Sequence, residues 1–189
     1  MKKYNIDKGN ALGLKVLEWF VDNSYEEVYL RNFGRKLDIS PNSAQRFLNL
    51  FVREKFTREF KKGNLRYFKA NLDSITFRQI KITFSLKKIE NSGVIEHFKE
   101  KNVSNFLLFG SVANGLDDKN SDFDFVCIGP NKDITIHQFE KKLGRQVQIH
   151  FFTWAEWKKQ AINNRAFYYD VIKDGISLIG EKPVINYND

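Results

Sequence analysis

Cysteine is almost missing from this chain: there is one, Cys127, in 189 residues. That excludes an internal disulfide framework and a cysteine-rich zinc site. The apolar neighbours Val126 and Ile128 put this thiol on a strand as buried structure, not as a reactive nucleophile. Long apolar runs are missing too. None approaches the roughly 20 residues that cross a bilayer, and the opening Met1-Lys2-Lys3-Tyr4-Asn5-Ile6-Asp7 lacks the apolar stretch of a secretory signal. A soluble, cytoplasmic protein with no membrane partner is expected. Internal repeats and low-complexity segments are absent as well. What is present, 42% hydrophobic and 15% aromatic residues, suffices for globular folding and argues against disorder.

The formal charge of +8 is unevenly spread. Residues 1–70 carry 15 Lys+Arg against 8 Asp+Glu, a net +7, whereas residues 71–189 carry 16 against 15, a net +1. The basic part can hold a polyanion through phosphate contacts; the near-neutral remainder needs a different explanation. Two modules are implied.

In the first module, Leu12, Leu14, Val16, Leu17, Phe20 and Val21 recur at near-helical spacing, predicting a helix over 10–22 closed by Asp22-Asn23-Ser24. A second helix is expected over 28–37. Ser40 then caps a third, with Pro41 in its first turn, running to about Lys55 on an apolar stripe of Ala44, Phe47, Leu48, Phe51 and Val52. Two extended runs, 57–62 and 65–70, flank Gly63-Asn64 in the pattern of a hairpin. Three helices followed by a basic hairpin resemble a winged-helix domain, over residues 9 to 71. The resemblance implies a third helix in the major groove of double-stranded DNA and a hairpin on its backbone. Asn42, Ser43, Gln45 and Arg46 would then face base edges, with Lys61, Lys62, Asn64 and Arg66 on phosphates. From Tyr29 to Ala70 there are 11 Lys+Arg and 3 Asp+Glu, a density that favours nucleic acid over a merely solvated face.

Residues 72–90 suit a long linker helix with a broad apolar face (Leu72, Ile75, Phe77, Ile80, Ile82, Phe84, Leu86, Ile89), ended by Asn91-Ser92-Gly93. Such breadth implies burial on two sides, against the neighbouring modules or in a homodimer.

The second module carries the chemistry. A helix over 94–100 precedes an apolar strand, Asn105 to Phe109, that runs into Gly110-Ser111. After a polar loop, Ser121-Asp122-Phe123-Asp124-Phe125-Val126-Cys127-Ile128 is a second strand. Asp122 and Asp124 lie two apart, so both carboxylates project from one face while Phe123 and Phe125 pack on the other. Carboxylates held side by side are costly unless a cation neutralises them, and Mg²⁺ takes oxygen ligands while bridging nucleotide phosphates. Gly110 lets the backbone approach a phosphate, and Ser111 offers its amide and hydroxyl. A third strand, 145–152, turns Gln148 and His150 toward the carboxylates and Val147, Ile149 and Phe151 toward the core. His150 can act as a base or ligand near neutral pH. Thr153 is placed to cap a helix whose apolar side is Trp154, Trp157, Ala161 and Ile162, with Lys158, Lys159 and Arg165 on its polar face. His97 and His137 fall in helical patterns without evident partners.

Phe-Gly-Ser-Val-Ala-Asn-Gly, ten residues between Ser111 and Asp122, and Ser-Asp-Phe-Asp together closely resemble the minimal nucleotidyltransferase branch of the polymerase-β-like superfamily, over about 94–182. Lys173 to Gly180 looks like the closing segment common in that family. The expected protein is therefore α+β: a winged helix over 1–71 (three helices plus a β-hairpin), a linker helix over 72–93, and a nucleotidyltransferase domain over 94–189, with a small mixed sheet flanked by helices. The resemblance implies Mg²⁺ (or Mn²⁺) held by Asp122, Asp124 and Gln148, and nucleotide at Gly110 and Ser111. Asp122, Asp124 and His150 would be catalytic, with ATP the donor. Active relatives commonly place a third carboxylate on the third strand, and Gln148 stands at its position. Minimal nucleotidyltransferases of this type often act as antitoxins that adenylylate a partner toxin, frequently of the HEPN class, so a protein hydroxyl is the leading acceptor. The competing readings are a DNA-binding transcriptional regulator whose weakened nucleotidyltransferase domain senses a nucleotide, and a small-molecule transferase resembling aminoglycoside-modifying enzymes.

Overall fold

The computed structural model describes residues 8–130 and 137–185. The chain divides into two compact units, the first ending at Lys81 and the second beginning at Ile82.

The first unit runs α1 (Lys8–Asp22), β1 (Val28–Tyr29), α2 (Leu30–Leu37), α3 (Pro41–Arg53), β2 (Thr57–Lys62), β3 (Leu65–Ala70) and the start of α4 (Ile75–Ser92). Ser40 caps α3 as expected, accepting from the Ser43 amide at 3.1 Å. Three expectations shift. Val28 and Tyr29 are not helical; they form a strand paired with Phe68 and Tyr67 of β3, where a β-branched and an aromatic residue gain cross-strand contacts that a helix end does not offer. α3 stops at Arg53, because Lys55 turns left-handed at φ 60° and the Phe56 amide closes back on the Phe51 carbonyl at 2.8 Å. α4 starts at Ile75 and runs two residues beyond 90, to Ser92, with Gly93 at φ 79° ending it. The sheet order is β1-β3-β2, all antiparallel. Its inner side closes on a core of Phe20, Phe33, Leu48, Phe51 and Phe68. Phe77 of α4 joins this core through Phe56, ring centroids 6.2 Å apart. One helical lysine is also interior: Lys81, 1% exposed, donates to the Val21 carbonyl and to Ser24 Oγ at the C-terminal end of α1, a favourable place for a cation.

The second unit contains α5 (Val94–Glu100), β4 (Asn105–Phe109), α6 (Gly110–Ala113), β5 (Phe123–Ile128), α7 (His137–Leu143), β6 (Val147–Phe152), α8 (Trp154–Asn163), α9 (Arg165–Asp174) and β7 (Ile176–Ile179). Its sheet is mixed, in the order β6-β5-β4-β7, with only β5 and β6 parallel. Helices cover both faces. On one, Phe98, Phe106, Phe123, Phe125 and Cys127 form a core with Ile89 and Phe139; on the other, Leu107, Val126 and Ile128 lie against Trp157, Ala161, Tyr168 and Val171. Cys127 is fully buried and its thiol is pushed up to about 12 by that burial, which makes it inert. α8 carries a full capping box of Thr153 and Glu156. Its inward stripe is narrower than expected: Trp157 and Ala161 are buried, but Trp154 and Ile162 are 44% and 59% exposed. Arg165 belongs to α9, not α8. His137 has a partner, Glu140 Oε2 at 3.0 Å, and the His97 ring lies 5.2 Å from that of Phe139. Among the described residues no helix is long and apolar enough to cross a membrane.

Phe106, fully buried with its ring stacked 4.2 Å from Phe98 and 4.8 Å from Phe125, anchors this core. Phe106→Ala is expected to cost about 3–5 kcal/mol in urea unfolding, whereas Leu65→Ala at the half-exposed hairpin tip changes stability by less than about 0.5 kcal/mol.

Candidate active site

β5 is the central strand of the site, and its alternation decides the geometry. Phe123 and Phe125 are fully buried on one face, so Asp122 and Asp124 share the other. Across the ladder Asp124 pairs with Phe109 of β4 and with Gln148 of β6, which gathers residues from three strands into one row. Gln148 Nε2 donates to Asp122 Oδ2 at 2.9 Å. In this arrangement the amide holds Asp122 in place and brings no third negative charge.

The carboxylate pair is electrostatically costly. Burial pushes the Asp124 carboxyl above its ordinary value, the charge of Asp122 pushes it further in the same direction, and His150 opposes both. A divalent cation with oxygen ligands fits this donor set, because it would relieve both costs at once. Asp122 and Asp124 would supply the anionic oxygens and Gln148 a neutral carbonyl; among the described residues no group of three or more His, Cys, Asp or Glu is placed to hold a metal.

Gly110 answers to the same carboxylate. Its φ is +74°, and a Cβ there would lie 2.7 Å from Asp124 Oδ2. Glycine thus permits both the left-handed turn and the backbone's approach to the acid, a constraint beyond the phosphate access read from the sequence. Ser111 follows in the one-turn α6, half-buried beside the same acid-bearing strand end.

The loop leading to Asp122 is held from within and from below. Asp118 Oδ1 accepts from the Asn120 amide at 2.8 Å and from Ser121 Oγ at 3.2 Å, and Ser121 Oγ accepts from the Asp118 amide at 3.0 Å. The Asn120 amide, chiefly, keeps the Asp118 carboxyl below the usual range. Asp117, 2% exposed, pairs with Arg145 Nη1 at 2.7 Å, and that guanidinium lies 5.5 Å from the Phe123 ring centroid. Sequence reading passed over this pair, whose members have no local spacing signal. It also passed over Phe109 and Phe167, which flank His150 with ring centroids 5.7 and 5.3 Å away.

In the first unit, Asn42, Gln45 and Arg46 are exposed on α3, and Lys61, Lys62, Asn64 and Arg66 are exposed on the hairpin. Ser43 is half-buried and its hydroxyl accepts from Ser40 Oγ at 2.9 Å, so it serves the helix cap. Two of the basic residues expected on phosphates already have acidic partners. Lys62 pairs with Glu27, and Arg66 grips Glu59 with two hydrogen bonds of 2.6 and 2.7 Å while also reaching Asn49. The Arg66 hydrogen bond holds the Glu59 carboxyl below its usual range. Arg31 and Arg35 of α2, which the sequence did not single out, line a groove of about 550 Å³ with Gln45, Asn64 and Arg66.

Residues 91–173 match the family model of the nucleotidyltransferase domain. The match covers the strand, turn and strand just described and supports nucleotidyl transfer as the general chemistry of this part of the chain. Among curated proteins, none matches the chain.

Because the folded Asp124 carboxyl titrates above its unfolded value, its ionisation costs the fold. This group's contribution to stability is greatest while it is protonated, below about pH 4, and falls as pH rises through the raised value. Asp124→Asn removes that cost. In the metal-free protein the variant is expected to unfold at a higher temperature than wild type at pH 7, with the difference shrinking toward pH 3. Added Mg²⁺ should raise the wild-type midpoint and leave the variant's unchanged.

Proposed function

We propose that the second unit is a cation-dependent nucleotidyltransferase that moves a nucleoside monophosphate, AMP from ATP, onto a hydroxyl. The observation that carries this reading is the pair Asp122 and Asp124 on one face of β5, beside a Gly110 whose missing side chain makes room for Asp124. Asp122 and Asp124 would hold Mg²⁺ (or Mn²⁺), with Gln148 steadying Asp122. The cation, when bound, neutralises phosphate charge and polarises the reacting phosphoryl group. Gly110 and Ser111 present backbone and hydroxyl donors to the phosphates. The acceptor oxygen bonds to the α-phosphorus, the bond to the β-phosphate oxygen breaks, and pyrophosphate leaves. The acceptor's proton is released to solvent, to which the row of β6 beside the acids is open. A protein acceptor, of the HEPN class by resemblance, suits a site open enough to leave Gln148 and His150 exposed.

A second reading gains support from two observations. The residue in register with Asp124 on β6 is the neutral Gln148, which weakens cation binding relative to a third carboxylate. In the first unit, Arg31 and Arg35 have no acidic partner among the described residues, while Lys36, Arg58, Lys62 and Arg66 do. Unpaired cations around a groove suit a phosphate backbone, so this unit would act as a winged helix on duplex DNA and the second unit as a nucleotide sensor.

Two experiments separate these readings. Incubation with labelled ATP, GTP, CTP or UTP, Mg²⁺ and co-expressed neighbouring proteins should transfer label from one nucleotide, and Asp122→Ala with Asp124→Ala should lower transfer at least 100-fold; no transfer and no nucleotide binding contradicts the enzyme. For DNA, Arg31→Ala with Arg35→Ala should weaken duplex binding across sequences and flatten the log–log salt slope by about 2. Binding that ignores salt sinks the second reading.

A further inference from the structure

Beside the carboxylates lies a cluster of rings that the transfer chemistry leaves unused. Phe109 is the last residue of β4 and shares its row with Asp124. His150 sits on β6 two residues beyond Gln148, roughly 6.6 Å along the strand. Phe167 comes from α9. The three ring centroids lie 5.7, 5.5 and 5.3 Å apart, each pair tilted or edge-on. Phe109 and Phe167 are half-buried, and Phe167 is backed by Phe152 and Trp157 at 6.1 and 6.3 Å. The exposed member is His150. A planar imidazole is therefore held by two phenyl rings with a surface left to solvent, one strand step from Asp124. Core packing alone would be served as well by an aliphatic side chain at 150, which would need no open ring.

We propose that His150, positioned by Phe109 and Phe167, is the stacking surface for the nucleobase of the donor. The inference rests on the nucleotidyl-transfer reading. With the α-phosphate at Asp122 and Asp124 and the remaining phosphates toward Gly110, the ribose spans the step along β6 and the base lies over the imidazole. The chemistry is π-stacking, which tolerates any base, so this surface contributes affinity for nucleosides over bare polyphosphates without selecting among bases.

Isothermal titration with two probes, each with Mg²⁺, tests this: the non-reactive donor α,β-methylene-ATP, and inorganic tripolyphosphate, which keeps the charge and lacks the ring. Wild type is expected to bind the nucleotide roughly tenfold more tightly than tripolyphosphate, the scale of one base–aromatic stack. His150→Ala should bring the two affinities together by weakening only the nucleotide. His150→Phe should keep the preference although it abolishes proton transfer at this position, which separates stacking from base catalysis. Phe167→Ala, folded by circular dichroism, should reduce the preference in part. Equal binding of both probes to wild type, or an undiminished preference in His150→Ala, overturns the stacking role. So does a preference that survives His150→Ala while the KM of an acceptor rises, since the ring would then belong to the acceptor. If neither probe binds wild type, the nucleotidyl-transfer reading itself falls.

Discussion

Two like charges held on one face of a strand, partly withdrawn from water, are the constraint around which the second unit is arranged. Asp122 and Asp124 cannot separate, because the strand period that buries Phe123 and Phe125 sends both acids the same way. Their repulsion and the burial of Asp124 are left uncompensated by any cationic side chain in direct contact among the described residues. Around them, Gly110 yields its side-chain space, Gln148 donates a neutral hydrogen bond, and the Asp117–Arg145 pair ties the approach to β5 to the start of β6 beneath Phe123. Each feature holds the acids in position without neutralising them. An arrangement that keeps such a cost is readily understood if an external cation removes it on binding.

The first unit handles charge in the opposite way. Lys36 on α2 and Arg58, Lys62 and Arg66 on the hairpin have acidic partners, and the pairs are exposed, so each adds little stability. What distinguishes Arg31 and Arg35 is that they lie one helical turn apart, line a groove and have no such partner among the described residues. The interior lysine of α4 illustrates the cost of the alternative: Lys81 is tolerated because the Val21 carbonyl and Ser24 hydroxyl receive its donors.

Much of this was legible in the sequence where local periodicity carries the information. The Asp-x-Asp strand, the Gly-Ser turn and the cap at Ser40 all follow from spacing within a few residues. The β1 strand was not legible, since two residues are too short for a period and Val28 and Tyr29 become a strand only by pairing with β3. Trp154 and Ile162 were misjudged because the stripe of α8 covers less of the helix than its apolar content suggests. The Glu59–Arg66 bond did have a signal: a two-residue turn at Gly63-Asn64 sets Lys61 opposite Arg66 and Glu59 opposite Phe68, which makes Glu59 and Arg66 diagonal neighbours on one face. No such signal exists for Asp117 with Arg145, or for Phe167 against His150, because those contacts join elements whose approach only the tertiary fold sets.

The central claim is that Asp122 and Asp124 form one cation site, and electron paramagnetic resonance of Mn²⁺ tests it most directly. Titrated into the protein without nucleotide or phosphate, free hexaaqua Mn²⁺ should vanish from the spectrum up to one equivalent, and Asp122→Asn with Asp124→Asn should abolish that uptake. Identical uptake by wild type and the double variant would contradict the account.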